Sequence, residues 1–235
     1  AAEGLDHVNI YLVAVGDSAL YTNFGSNEEF NGNGNTAVGS GSMRHNTYGH
    51  YNTSVGFQAM YSNDEGSGNA AFGYKALYSS DINSNNSGIG CYSLYSNVYG
   101  SGNTACGNSS LYSNYGGSAN TVVGNRAMYS NIGGDGNTAV GNYVLDANTS
   151  GDYNTVVGAG ALGSNEDGSY NTALGASAGI FRTGNYYCTY LGADAYTSSE
   201  GLNNVTAIGY DCRPGSSDQV RLGNSSVTLI CGYAD

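Results

Sequence analysis

The stretch that decides the architecture is GNTAVGNYVLDANTSGDYNTVVGAGAL, residues 136 to 162. In it NTAVG, beginning at Asn137, is answered seventeen residues later by NTVVG, beginning at Asn154. Taking the last Gly of the motif as position zero, the same residue recurs at Gly39, Gly56, Gly73, Gly90, Gly107, Gly124, Gly141, Gly158, Gly175, Gly192 and Gly209. Those are ten successive intervals of seventeen without a slip. A looser first copy holds Gly16, set off by a six-residue insertion around Asn27 to Gly32, and a last copy holds Gly223 after an interval of fourteen. A fixed period of this kind is the signature of a stacked repeat and takes precedence over any element-by-element reading.

Each position of the repeat has its own chemistry. The residue before the Gly is always apolar, as in Val38, Phe72, Ile89, Cys106 and Leu174, and position −3 is mostly Thr, with a small residue between them. That alternation predicts a short strand, with β-branched Thr and Val on one side and small residues on the other. We expect the Thr and Val side to be buried, and the small side to let neighbouring rods approach closely. Leu or Met follows at +4 (Met43, Met60, Leu77, Leu94, Leu111, Met128, Leu145, Leu162) within A-L-Y-S-N, read as a second short strand. A G-x-G or G-x-Y segment then turns the chain back.

Two strands and two turns in seventeen residues describe one coil of a solenoid. A helical hairpin does not fit that length or glycine content. The expected fold is all-β, a parallel β-solenoid or β-roll of about thirteen 17-residue coils. Its organisation is an irregular N-terminal cap over residues 1–25, an insertion over 26–34, the regular solenoid over 35–209 and an irregular C-terminal cap over 210–235. One coil cannot bury its own side chains, so stability accumulates from coil-to-coil interfaces. A core with one Val and one Leu per coil is thin, which predicts that several rods associate.

Composition supports this and narrows function. The chain of 235 residues holds 38 Gly, 30 Asn and 22 Tyr but only one Pro and no Trp, and just 10% of it is charged. Gly and Asn favour turns. A net charge of −12 repels phosphate backbones and anionic lipid, so nucleic acid and direct membrane insertion are not expected. No apolar run reaches the ~18 residues of a membrane helix, and the opening AAEGLDHVNIYLVAVG lacks a basic signal-peptide start.

NTAVGxxAL resembles the head repeat of trimeric autotransporter adhesins of the YadA type. It is also similar to the NTAVGxxAL arrays of phage tail fibres and bacterial surface proteins that precede an endosialidase-type intramolecular chaperone, whose run-up SSDQVRLGNSSVTLICGYAD (from Ser216) resembles. The adhesin head has a shorter repeat. The resemblance implies a left-handed coil, a homotrimer and an extracellular, cell-surface or virion-surface setting. It implies a fibrous structural or adhesive role, with the chain itself as first partner and a carbohydrate or host-surface protein as ligand. End-to-end filament growth through the irregular copies, Leu5 to Leu20 and Val220 to Ile230, is a further expectation.

Catalytic motifs are absent, and we expect no enzyme, cofactor or metal site. The recurrent G-x-G leads into a strand and lacks GK[ST], so it reads as a turn. Acidic residues gather in turns, namely Asp64 with Glu65, Glu166 with Asp167, and Asp135 and Asp152 at matching positions. A tailspike-like polysaccharide depolymerase using two such carboxylates is the alternative reading. An ice- or mineral-binding solenoid using the Thr rank is the second alternative, and it requires that rank to be exposed. His7, His45 and His50 have no partner constellation.

Candidate ligand contacts are the tyrosines stacked by the repeat at +5, namely Tyr61, Tyr78, Tyr95, Tyr112 and Tyr129, with an Asn ladder beside them. Of five cysteines, Cys91 and Cys106 are the first disulfide candidates, because one coil brings them near each other. Glycosylation sequons lie at Asn52, Asn85, Asn108, Asn148, Asn204 and Asn224, about as many as thirty Asn yield by chance.

Overall fold

The computed structural model describes residues 11–23, 32–180 and 184–228. Most of the insertion, the outermost parts of both irregular copies, His7 and Cys231 lie outside the described residues. Thirteen three-residue strands run from β1 (Val13–Val15) and β2 (Thr36–Val38) to β12 (Thr206–Ile208) and β13 (Val220–Leu222). They form one parallel sheet in strict sequence order, each strand residue from β1 to β12 beside its equivalent in the next coil. The regular run amounts to about eleven turns of about 17 residues each. At ~4.8 Å per coil the sheet is roughly 60 Å long.

Each coil contributes one strand, not two. The A-L-Y-S-N segment is a turn, because the residue before it, at +2, and its own Leu or Met at +4 take left-handed backbone angles, as Lys75 (φ 52°) and Leu77 (φ 51°) do. Successive N–H groups therefore point alternately up and down the stack: Lys75 N donates to Phe57 O of the coil before, Leu77 N to Ser93 O of the coil after. A γ-branched side chain in this conformation costs about 1 kcal/mol. The gain is that Leu or Met enters the core completely, since Met60, Leu77, Leu94, Leu111 and Met128 are all fully buried.

The strand parity is the reverse of the expectation. Ala37, Ala71, Ala105, Val122 and Ala139, at the middle of their strands, are fully buried, whereas the −1 position faces out: from Val55 to Ile208 its side chains are 36–49% exposed, apart from the half-buried Cys106. The cause is the Asn at −4, which begins every coil from Asn35 to Asn171 and is buried. Side chains alternate along a strand, so an inward Asn sends Thr out, Ala in and Val out.

Two Asn columns close and stack the coils. Asn120 Nδ2 donates to Gly134 O at 2.9 Å, and Asn131 Nδ2 donates to the same oxygen at 3.1 Å, tying the two ends of the coil across its interior. Between coils, Asn120 N–H donates to Asn103 Oδ1 (3.0 Å), and Asn131 Nδ2 to Asn114 Oδ1 (2.6 Å). The pattern repeats at Gly66, Gly117, Gly151 and Gly168. The interior is thus half apolar, from Ala and Leu, and half amide.

Interior volume is conserved even where the repeat breaks. At +4 Gly179 replaces Leu, and at −2 Tyr190 replaces Ala; a Cβ on Gly179 would lie 3.0 Å from the Tyr190 ring. The Tyr190 hydroxyl accepts from Asn185 Nδ2 (3.0 Å), and burial raises its pKa far above the ordinary phenol value.

Two measurements test this construction. Asn120→Ala leaves the Asn137 N–H and one lone pair of Gly134 O unsatisfied in the interior, an expected loss of about 2–4 kcal/mol by urea unfolding. A loss under ~0.5 kcal/mol would show that the ladder is ornamental. At position zero, Gly124 (φ 141°) has the Gly141 carbonyl where a Cβ would stand, whereas Gly102 (φ 69°) has nothing nearer than 4.0 Å. Gly124→Ala is expected to abolish folding, and Gly102→Ala to cost about 1 kcal/mol in thermal unfolding.

Candidate functional site

Three outward surfaces are candidates. The first is the T-x-V face. Its Thr column (Thr36, Thr53, Thr104, Thr121, Thr138, Thr155, Thr172, Thr189, Thr206) and its apolar column lie half-exposed to exposed along the strands. No charged residue occurs in either column from β1 to β12. Side chains repeat every ~4.8 Å across the strands and every ~6.6 Å along them, giving a two-dimensional array of hydroxyls and methyls. Where the Thr column shrinks to Ala70 and Ser87, the apolar column grows to Phe72 and Ile89. Cys106 occupies the apolar column as well.

The second is the tyrosine column. Tyr61, Tyr78, Tyr95, Tyr112 and Tyr129 stack with ring centroids 4.9–5.2 Å apart and planes within 10°. Their faces are spent on one another, so they offer edges and hydroxyls, and they are half-buried. Phe57, Tyr74 and Tyr92 widen the column on one side, with Phe57 stacked on Tyr74 and Tyr92 edge-on to Tyr74, Tyr95 and Tyr112. A hydrogen bond with Tyr74 raises the pKa of the Tyr92 hydroxyl, and burial raises that of Tyr112. Lys75 lies over Tyr74 and Tyr78, and Arg126 over Tyr129 and Tyr143. The Asn ladder is not beside these rings on the surface; it is the buried lining described above.

The third is the acidic turns. Asp64–Glu65 and Glu166–Asp167 occupy the same positions in coils six apart, about 29 Å along the rod, so the two pairs do not flank one glycosidic bond. Asp135 and Asp152 are neighbours, but each carboxylate is used as a staple: Ser118 N–H donates to Asp135 Oδ1 (2.6 Å) and Asp135 N–H to Asp152 Oδ1 (2.7 Å). No group of three or more potential metal ligands occurs among the described residues. His50 Nδ1 shares a hydrogen bond with Ser67 Oγ, and His45 meets Tyr61 edge-on.

Cys91 and Cys106 are both free thiols. They stand at +1 and −1, on either side of the Gly corner, so Cys106 faces out from the sheet and Cys91 lies on the next segment of the coil. Of the sequons, Asn52 and Asn148 are fully buried with Nδ2 donating to Gly66 O and Gly151 O, which leaves a glycan no room in the folded coil. Asn85, Asn108 and Asn204 are exposed and Asn224 is half-exposed.

Sequence reasoning missed the exposure of the T-x-V face and the role of Phe57, Tyr74 and Tyr92. The signal for the first was available: Asn at −4 shares parity with Ala, not with Val. No helix among the described residues is long and apolar enough to cross a membrane. No family model matches the chain, and no curated protein matches it.

Proposed function

We propose that this chain is a non-enzymatic, extracellular fibrous protein, the shaft or head of an adhesin, tail fibre or surface filament, in which several copies pack through the T-x-V face. The observation that carries the reading is the uninterrupted, charge-free apolar column on an outward face. Soluble monomers rarely leave a contiguous apolar stripe of this length uncovered. The pairing of Ala70 with Phe72 and Ser87 with Ile89 keeps the combined bulk of the two columns level, as packed surfaces require. The face measures roughly 60 Å by ~10 Å, or about 600 Å², less than the ~800 Å² per partner of a standard interface. Three chains about one axis give every chain two partners, which favours a trimer over a dimer.

A second reading, binding to ice or another ordered surface, is favoured by the outward Thr column. It requires the face to stay free, and the bulk of Phe72 breaks the evenness that a flat crystal plane would meet.

Cysteine chemistry separates the two readings. Mild oxidation or a short bis-maleimide is expected to join chains through Cys106; the product should vanish in Cys106→Ser and persist in Cys91→Ser. Val123→Glu with Val140→Glu is expected to shift sedimentation from oligomer to monomer. A folded monomer at micromolar concentration, with ice-recrystallisation inhibition lost in Thr138→Leu, would overturn the oligomer and establish the second reading.

A further inference from the structure

In the first half of the regular solenoid the charges of this acidic protein are sorted by segment of the coil. Between Gly39 and Val140 there are three permanent cations, Arg44, Lys75 and Arg126, and four carboxylates, Asp64, Glu65, Asp81 and Asp135. All three cations fall between positions +2 and +5 of their coils, beside the tyrosine column, and all four carboxylates fall between +8 and +11. Over six coils the segment from +1 to +6 contains no acid. It contains Phe57, Tyr74, Tyr92 and the five stacked tyrosines instead.

All three cations are held over rings, and two of them, Arg44 and Lys75, over rings alone. Arg44 sits 5.5 Å from the Tyr21 centroid, Lys75 5.1 Å from Tyr78 and Arg126 4.4 Å from Tyr129. Among the described residues neither Arg44 nor Lys75 has a carboxylate within ion-pair distance, and Arg126 meets only Asp146 at 3.5 Å. Asp146 takes the tyrosine's place in the column and so marks its end. Ring contact fixes the position of a cation without neutralising it, so the strip keeps its positive charge.

The geometry points to this strip as a binding track for a linear carboxylated polysaccharide, an inference that rests on the reading of the chain as an adhesive rod. The ligand must be long, because the strip runs along the axis with cations in coils zero, two and five, about 10 and 24 Å from the first. It must carry sparse negative charge, because the cations are that far apart and the whole chain is at −12. It must meet edges and hydroxyls, because the ring faces are occupied by one another. A sugar chain with intermittent carboxylates fits all three: its hydroxyls pair with phenols, its carboxylates with Lys75 and the Arg44 fork. Single-stranded nucleic acid fits poorly, since it needs free ring faces for its bases and carries a phosphate on every nucleotide.

The test is binding of the whole chain to immobilised hyaluronate, which carries a carboxylate on alternate sugars only, with a neutral glucan and single-stranded DNA alongside. We expect hyaluronate to bind and the other two not to. The binding should weaken steeply as salt rises from ~0.05 to ~0.5 M, because these cations are only partly buried. Arg44→Gln with Lys75→Gln should weaken it at least about tenfold through loss of multivalent contact, while Asp81→Asn leaves it unchanged. Sedimentation of the same variants reads the assembly separately, since neither residue lies on the T-x-V face. Unaltered hyaluronate binding in the double variant, or equal binding of the glucan or the DNA, would overturn the track while leaving the fibre reading intact.

Discussion

The rest of the structure depends on the buried asparagine pair that meets at one glycine carbonyl in most of the regular coils. Two short strands facing each other would ordinarily hold a coil open or closed by apolar contact. Here there is one three-residue strand and a long turn, and the ends are tied by Asn103 and Asn114 donating to Gly117 O, each at 2.8 Å. Each amide also reaches the next coil, so closing one coil and stacking it on the next are the same act. In a dry interior such bonds are strong, and any missing partner is expensive, which explains why the columns run so evenly.

The glycines at position zero, and those at +10 where two Asn meet, follow from the same constraint; at Asn83 the +10 glycine lapses together with the Asn at +7, which is Ser80. At position zero the backbone of one coil presses against the Gly carbonyl of the next, and at +10 the space a Cβ would need is occupied by the Asn amides themselves, as at Gly117. Ala at −2 and +3 is what remains of the cross-section after one Leu or Met per coil has been placed. The Gly179 and Tyr190 exchange shows that the limit is total volume and not residue identity, the hydroxyl being accommodated by Asn185.

The period, the strand position and the parallel stacking were legible in the sequence because they depend only on spacing, and ten intervals of seventeen admit one register. The direction of the strand's faces was not, because hydrophobicity alone favours Val over Ala inside. A coil this narrow reverses that preference: it has room for Ala beside a buried amide but not for a second branched side chain in every coil. The turn at A-L-Y-S-N was misread for a related reason. Leu and Met are poor indicators of left-handed backbone, and only the packing of the stack forces them into it. At the surfaces, the tyrosine column was legible from its fixed position, whereas its flanking rings at +1 and +2 vary in position and gave no period to follow.

Once the interior accounts for Asn, Gly, Ala and Leu, what it does not account for becomes informative. Nothing inside the coil requires the −1 residue to be apolar, since that side chain leaves the sheet. Strand propensity would accept Thr or Tyr there and explains neither Cys106 nor Leu174. Yet from Val38 to Ile208 the position holds only apolar side chains, and the Thr column shrinks where Phe72 and Ile89 swell. A regularity of that kind, maintained along an outward face and compensated between adjacent columns, needs a cause outside the single chain. Packing against a repeating partner supplies one. The sorting of cations to one segment of the coil and carboxylates to another between Gly39 and Val140 has the same logic, because the ladder is indifferent to both.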